Sequence, residues 1–308
     1  MEILPIIAGF GGGVLGAYMG ALPAFIMTGF FALVGGLLQA AGVSTDVALL
    51  QIAFASFIGP HTAFAGGVAA AAYAGNKKKL DSGADICTAL FGLNSADVIL
   101  VGGLFGLFGA FLLQVISLIP VFGSITDGPG TCVFIIGVIC RLVFGKTGLT
   151  GAFEGEKHNY VSQGGAFGTN LMLGFGVGIA VSTFAAIFFE AGNTAALSMW
   201  PFICFGFSAI TLIFTQTGTA VPSTHHMTLI GAYASVVGVT AFGTVGGIVM
   251  GTVFAVIAAF VGDLAACTLN TKVDSHIDPP ATTIWILACV VHLIAMALGA
   301  SAGAIIVP

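Results

Sequence analysis

The sequence predicts an all-α polytopic membrane protein of about ten transmembrane helices, arranged as two inverted five-helix repeats whose third spans are broken at proline. Three observations carry that prediction. First, 58% of the 308 residues are hydrophobic and only 6% are charged, with a mean hydropathy of +1.12. A soluble domain carries about 25% charged residues, so this chain lacks the means to make a water-facing surface. Second, residues 3–45, 47–76, 98–126, 191–262 and 279–308 contain no Asp, Glu, Lys or Arg. The stretch 191–262 alone holds about three helices of roughly 20 residues each. These runs do not alternate as the strands of a membrane β-barrel do. Third, Asp-x-Pro-x-Thr occurs twice, as Asp127-Gly128-Pro129-Gly130-Thr131 and Asp278-Pro279-Pro280-Ala281-Thr282, each time opening a long apolar run. Beyond the motif, Ile135 matches Ile286 and Leu142 matches Leu293, which suggests a duplicated membrane chain.

In order along the chain, spans are expected near 4–20, 23–42, 47–74, 96–119 and 130–146, then near 169–189, 196–215, 218–240, 242–261 and 282–306. This divides the chain into a first membrane repeat (1–150), a cytoplasmic connector (151–168) and a second membrane repeat (169–308). Further landmarks recur in the same order. Gly9-Phe10-Gly11 pairs with Gly174-Phe175-Gly176, and Val101-Gly102-Gly103 with Val245-Gly246-Gly247. Gly59-Pro60-His61-Thr62 pairs with the segment from Val221 to His226. The 46 glycines suit close helix approach, which in a membrane replaces the missing hydrophobic drive between helices. Gly174-x-Gly176-x-Gly178 lacks the preceding strand and following acid of a dinucleotide fingerprint.

The polar connections 75–95, 146–168 and 262–280 hold 13 of the 19 charged residues. Lys77, Lys78 and Lys79 place the first of these in the cytoplasm, and counting spans brings the other two to the same side. All seven basic residues then lie inside or at the inner end of a span, and both termini face outside. Five spans per half is odd, so the halves are inverted. The N-terminus has no basic region ahead of its apolar run, and no cleaved signal is expected.

The third spans carry the chemistry. Pro60 removes a helical hydrogen bond just upstream, and Gly59 loosens the chain there. The partner segment 215–226 is rich in hydroxyls and histidine inside the longest charge-free stretch. A polar, broken segment is tolerated at membrane depth where it is buried in protein or lines a water cavity. The expected binding residues are therefore His61, Thr62, Thr219, Ser223, Thr224, His225 and His226, with Asp127 and Asp278 as ion-coupling carboxylates reached from opposite faces. The bland readings stand beside these. A buried histidine also serves as a neutral bridge between helices, and Asp before a Pro-started helix is a good N-cap. Asp97 reads as another cap. Arg141 matches His292 in the repeat and reads as snorkelling to the interface, or otherwise as a partner for an anionic substrate. Adjacent His225 and His226 point different ways on a helix, against a shared metal. The six cysteines are scattered, with no Cys-x-x-Cys, and read as small apolar residues.

No nucleophile elbow, phosphate loop or haem-attachment motif is present, and the loops leave little room for a catalytic domain. No enzyme activity, cofactor or metal is expected, and the net charge of −5 gives no nucleic-acid footprint. The expected function is a multi-pass secondary transporter of the cell membrane. It would be an ion-coupled permease for a small solute or ion, with Na+ or H+ as candidate coupling ions, alternating access between the repeats. A homo-oligomer or partner subunits are compatible with the Gly-rich build. The alternatives are a membrane subunit of a larger ion-translocating or phosphotransfer-type complex, and an ion channel.

Overall fold

The structure is a computed structural model that describes residues 1–43 and 47–303. Among these residues the chain is helical, with no strand. The first half runs α1 (Ile3–Met19), α2 (Ala21–Ala40), a π-helical turn (Val47–Ala53), a second π-helical turn (Pro60–Phe64) leading into α3 (Ala65–Asn76), α4 (Ala96–Ser117), the short α5 (Phe122–Ile125) and α6 (Gly128–Val143). The second half runs α7 (Gly165–Glu190), α8 (Thr194–Thr211), the short α9 (Ile213–Gln216), α10 (His225–Leu269) and α11 (Pro279–Leu298).

Six of these helices are long and apolar enough to cross a membrane: α2, α4, α7, α8 (with α9), α10 and α11. α1 and α6 are apolar but shorter. Large hydrophobic side chains such as Leu4, Phe30, Leu104, Phe184, Phe207, Val245 and Leu293 stand exposed on the outer faces, as lipid contact requires. By length and composition this is an α-helical membrane protein.

The structure revises several boundaries. The expected helix 47–74 is helical without interruption only from Pro60, and 54–59 is bent, non-helical chain. The expected helix 218–240 starts at His225, after a non-helical stretch over 217–224. The expected spans 218–240 and 242–261 are two limbs of α10, divided at Gly243. There φ is 75°, a value that glycine adopts without the penalty of a Cβ. The last helix ends at Leu298, and the expected span end at 304–306 lies outside the described residues.

α1 packs on α4, α7 on α10, α2 on α8 and α6 on α11. Close approach explains the glycines at the first break. A Cβ on Gly109 would lie 1.7 Å from the His61 carbonyl oxygen, so α4 accepts only glycine beside that turn. The three polar connections pack together at one end of the molecule. Asn76 Nδ2 donates to Phe144 O (2.7 Å), the Lys146 amide to Asp274 Oδ2 (2.6 Å) and the Ala152 amide to Lys272 O (3.0 Å).

Candidate functional site

The repeated motif is a local device with the same chemistry in both copies. Asp127 Oδ1 accepts from the Gly130 amide (2.6 Å), and the Thr131 hydroxyl donates back to Asp127 O (2.7 Å). Asp278 Oδ2 accepts from the Ala281 amide (2.7 Å), and the Thr282 hydroxyl donates to Asp278 O (2.8 Å). Each Asp is an N-cap, and each proline sits in the first turn, where a missing N–H costs nothing. The two capped helices meet each other. The rings of Phe134 and Trp285 are 5.6 Å apart, and Gly130 faces the Ala281 carbonyl.

Their first turns border a central cavity of about 60 Å³. That is room for a few water molecules or a small ion, far below the roughly 300–1,000 Å³ of a drug-sized pocket. Four helical starts converge on it: Pro60, His225, and the caps Asp127 and Asp278. The lining residues come in pairs. Pro60 and Phe64 stand at one constant sequence offset from His225 and Leu229. Asp127, Gly130 and Val133 stand at another from Asp278, Ala281 and Ile284. Pro60 thus matches His225 and not Pro222, because the second helix starts three residues beyond its proline. The rest of the wall is mostly apolar and includes Phe25, Phe54, Phe202 and Phe205. His225 lies against Phe25 (4.6 Å between centroids) and Phe205 (5.7 Å), and its Nδ1 has no hydrogen-bond partner.

Two larger cavities flank the central one. The first, about 420 Å³, lies beside the packed polar connections and is lined by Ser162, Asn170, Ser223, His226, Asp263, Asn270, His276 and Asp278 among others. The second, about 350 Å³, is lined by Met1, Glu2, Pro5, Ser56, His61, Leu113, Gln114 and Ser117 among others. These linings also correspond. Pro5 and His61 stand at the same offset from Asn170 and His226, and Leu113, Gln114 and Ser117 at a common offset from Gly262, Asp263 and Ala266. Gln114 binds the backbone of Glu2 through both its amide groups, and Asp263 accepts from the backbone amide and hydroxyl of Ser162. Each pins the segment just ahead of the first helix of its half.

Of the residues singled out in the sequence, Asp127, Asp278, Ser223 and His225 border the central cavity. His226 turns into one flanking cavity and His61 borders the other. The rings of His225 and His226 are close to perpendicular, so neighbours in sequence serve different cavities. Thr62 is buried, and its hydroxyl donates to Gly59 O (3.0 Å), inside its own turn. Thr224 is the N-cap residue of α10 without a side-chain cap bond, and Thr219 is exposed; neither borders these cavities.

Two residues read differently in three dimensions. Arg141 does not snorkel: it is 1% exposed and donates to Ser275 Oγ and O and to the carbonyls of Gly148, Leu149 and Leu269. It ties the chain after α6 to the chain after α10. Asp97 does not cap α4; it accepts from Lys79, Ser95 and Tyr73.

His276 escaped the sequence reading. Its Nδ1 lies 3.1 Å from Asn270 Nδ2, and its Nε2 lies 3.1 Å from Asp278 Oδ1. An amide nitrogen can only donate, so Nδ1 accepts and Nε2–H donates to the carboxylate. The available signal was a histidine two residues ahead of the second Asp, where the first copy has Ile125.

No curated protein and no solved structure matches the chain. A family model matches residues 1–160 and 171–305, two stretches that part at the connector between the halves. The chain belongs to that family, the family of unknown function DUF7973.

Proposed function

We propose that this chain is a multi-pass secondary transporter of the cell membrane, an ion-coupled permease for a small solute or ion. Two inverted five-helix repeats would expose one central site to either face in turn. The observation that carries this reading is the paired lining: the central cavity is built from corresponding residues of both halves, and so are the two flanking cavities. A two-fold axis through the central cavity, lying in the membrane plane, accounts for all three at once, and it puts the flanking cavities at opposite faces. Counting α1, α3, α6 and both limbs of α10 as spans gives the about ten spans expected from the sequence. The packing of the three polar connections at one end accords with a shared cytoplasmic side.

In this reading Asp127, Asp278, Ser223 and His225 hold the solute or ion. His61 and His226 stand at the two approaches, and Thr62, Thr219 and Thr224 support the broken segments. Helix N-termini and unpaired imidazole nitrogens offer polar contacts at a depth where water is scarce. The aromatic packing around the small cavity favours a carrier over an open channel.

The inversion is tested by placing single cysteines at Pro5 and Asn170 in a cysteine-free background. A membrane-impermeant thiol reagent should label them from opposite faces; labelling of both from one face sinks the arrangement. Transport is tested by exchange in proteoliposomes, using solutes that raise the melting temperature of the purified protein. Saturable exchange that His225→Ala abolishes is expected. Non-saturating conductance would point instead to a channel.

A further inference from the structure

The central cavity shares a polar wall with one flanking cavity and an apolar wall with the other. Ser223 and Asp278, with Ile86, border both the central cavity and the 420 Å³ cavity at the end of the polar connections. On the other side Phe54 alone is shared between the central cavity and the 350 Å³ cavity. A carboxylate that reaches into two cavities is placed to exchange something between them, and a phenyl ring is not.

The groups around that carboxylate are suited to a proton. His276 Nε2–H donates to Asp278 Oδ1 and is itself held in that tautomer by Asn270, so the imidazole is a fixed donor to the ionised acid. From α10, His225 faces Asp278 in the central cavity, and His226 and Asp263 face it in the flanking one; from α6, Asp127 faces it across the central cavity. His226 is 5% exposed, and its Nδ1 has no partner in a cavity of ample volume for water. No lysine or arginine borders either cavity among the described residues, so Asp278 has no fixed positive charge beside it on these walls. Asp127, its counterpart, has isoleucine where Asp278 has His276.

Building on the transporter reading, we infer that Asp278 is the proton-coupling group of the central site, and that His276 is its positioning residue. A hydronium ion in the polar cavity gives its proton to a carboxylate oxygen of Asp278, leaving water and a neutral acid. On release that O–H bond breaks and water takes the proton. Chains of Asp and His are a recurrent proton path in membrane proteins, because a carboxylate and an imidazole exchange protons without leaving a stable charge in hydrocarbon.

The test reads protonation and needs no knowledge of the solute. Infrared difference spectra of the purified full chain, taken as pH is lowered from about 9 to about 5, follow the C=O stretch of protonated carboxyl groups in H₂O and D₂O. A titrating band is expected that disappears in Asp278→Asn and survives in Asp127→Asn. Asn is itself a good N-cap, so the helix start is kept in both. His276→Leu removes the donor to the ionised acid and should move the midpoint upward while keeping the band, a shift that mere loss of packing would not produce. A band that persists in Asp278→Asn, or no titrating band in the wild type, would overturn the assignment. Because proteoliposome exchange is measured separately, a titrating Asp278 without exchange sinks the transport reading and leaves the proton site standing.

Discussion

The cavity around His226 and the cavity around His61 are lined from corresponding stretches of the two halves, yet their chemistry differs. The first contains Asp263, Asn270, His276 and Asp278; the second has Gln114 in place of Asp263, and Phe54 closes it toward the centre. The difference teaches that positions at a constant sequence offset need not carry the same chemistry. Capping needs only an Asp and the next turn of its own helix, so both copies keep it. The contact between Asp278 and His276, held in turn by Asn270, needs neighbours outside the helix, and only the second copy has it.

The comparison is broken most severely at the helix breaks themselves. Gly109 abuts the backbone oxygen of His61, whereas a Cβ on Gly262 would meet the imidazole of His226 at 2.5 Å. Gly109→Ala should cost more than about 3 kcal/mol, the upper range for overpacking, and yield little monodisperse protein. Gly262→Ala, where a side chain can turn aside, should remain folded with a lower melting temperature.

Next in size is Arg141 against its counterpart His292. Arg141→Ala strands several buried acceptors and should cost on the order of 3 kcal/mol. His292 uses Nδ1 toward Ala288 O (2.8 Å) and leaves Nε2 unpaired, so His292→Phe should cost less than about 1.5 kcal/mol. Chemical denaturation in detergent of the two variants checks the order.

The two caps sharpen the contrast. Asp127→Ala removes one cap bond and should cost about 1 kcal/mol. Asp278→Ala also orphans the His276 N–H and should cost about 2 kcal/mol or more. Equal losses would mean that the His276 contact contributes nothing. Smallest of all is Lys79→Ala. The Lys79–Asp97 pair is 36% and 45% exposed on its two side chains, and its loss should leave the melting temperature unchanged within error.

Much of the fold was legible because membrane insertion leaves a coarse, local record. Charge-free runs mark the apolar helices, and Pro60 marks a break whose helical side begins at that residue. The second break was mislocated by the proline rule: Pro222 lies in non-helical chain, and the helix waits for Thr224 and His225. The expected boundary between 218–240 and 242–261 falls within a few residues of Gly243, where α10 divides. At the site, His225, His226, Asp127 and Asp278 were readable as polar residues inside or beside apolar sequence. Their partition among three cavities was not.

By itself the sequence determined the membrane class, the presence of helix breaks ahead of α3 and α10, and the capped starts of α6 and α11. These follow from transfer free energies and from hydrogen bonds within a single helical turn. The tertiary structure alone decided that His225 and His226 serve different cavities, that Arg141 is buried among loop carbonyls, and that His276 joins Asp278. Each of these depends on which distant segments pack together, and neither hydropathy nor capping, which act over a few residues, contains that information.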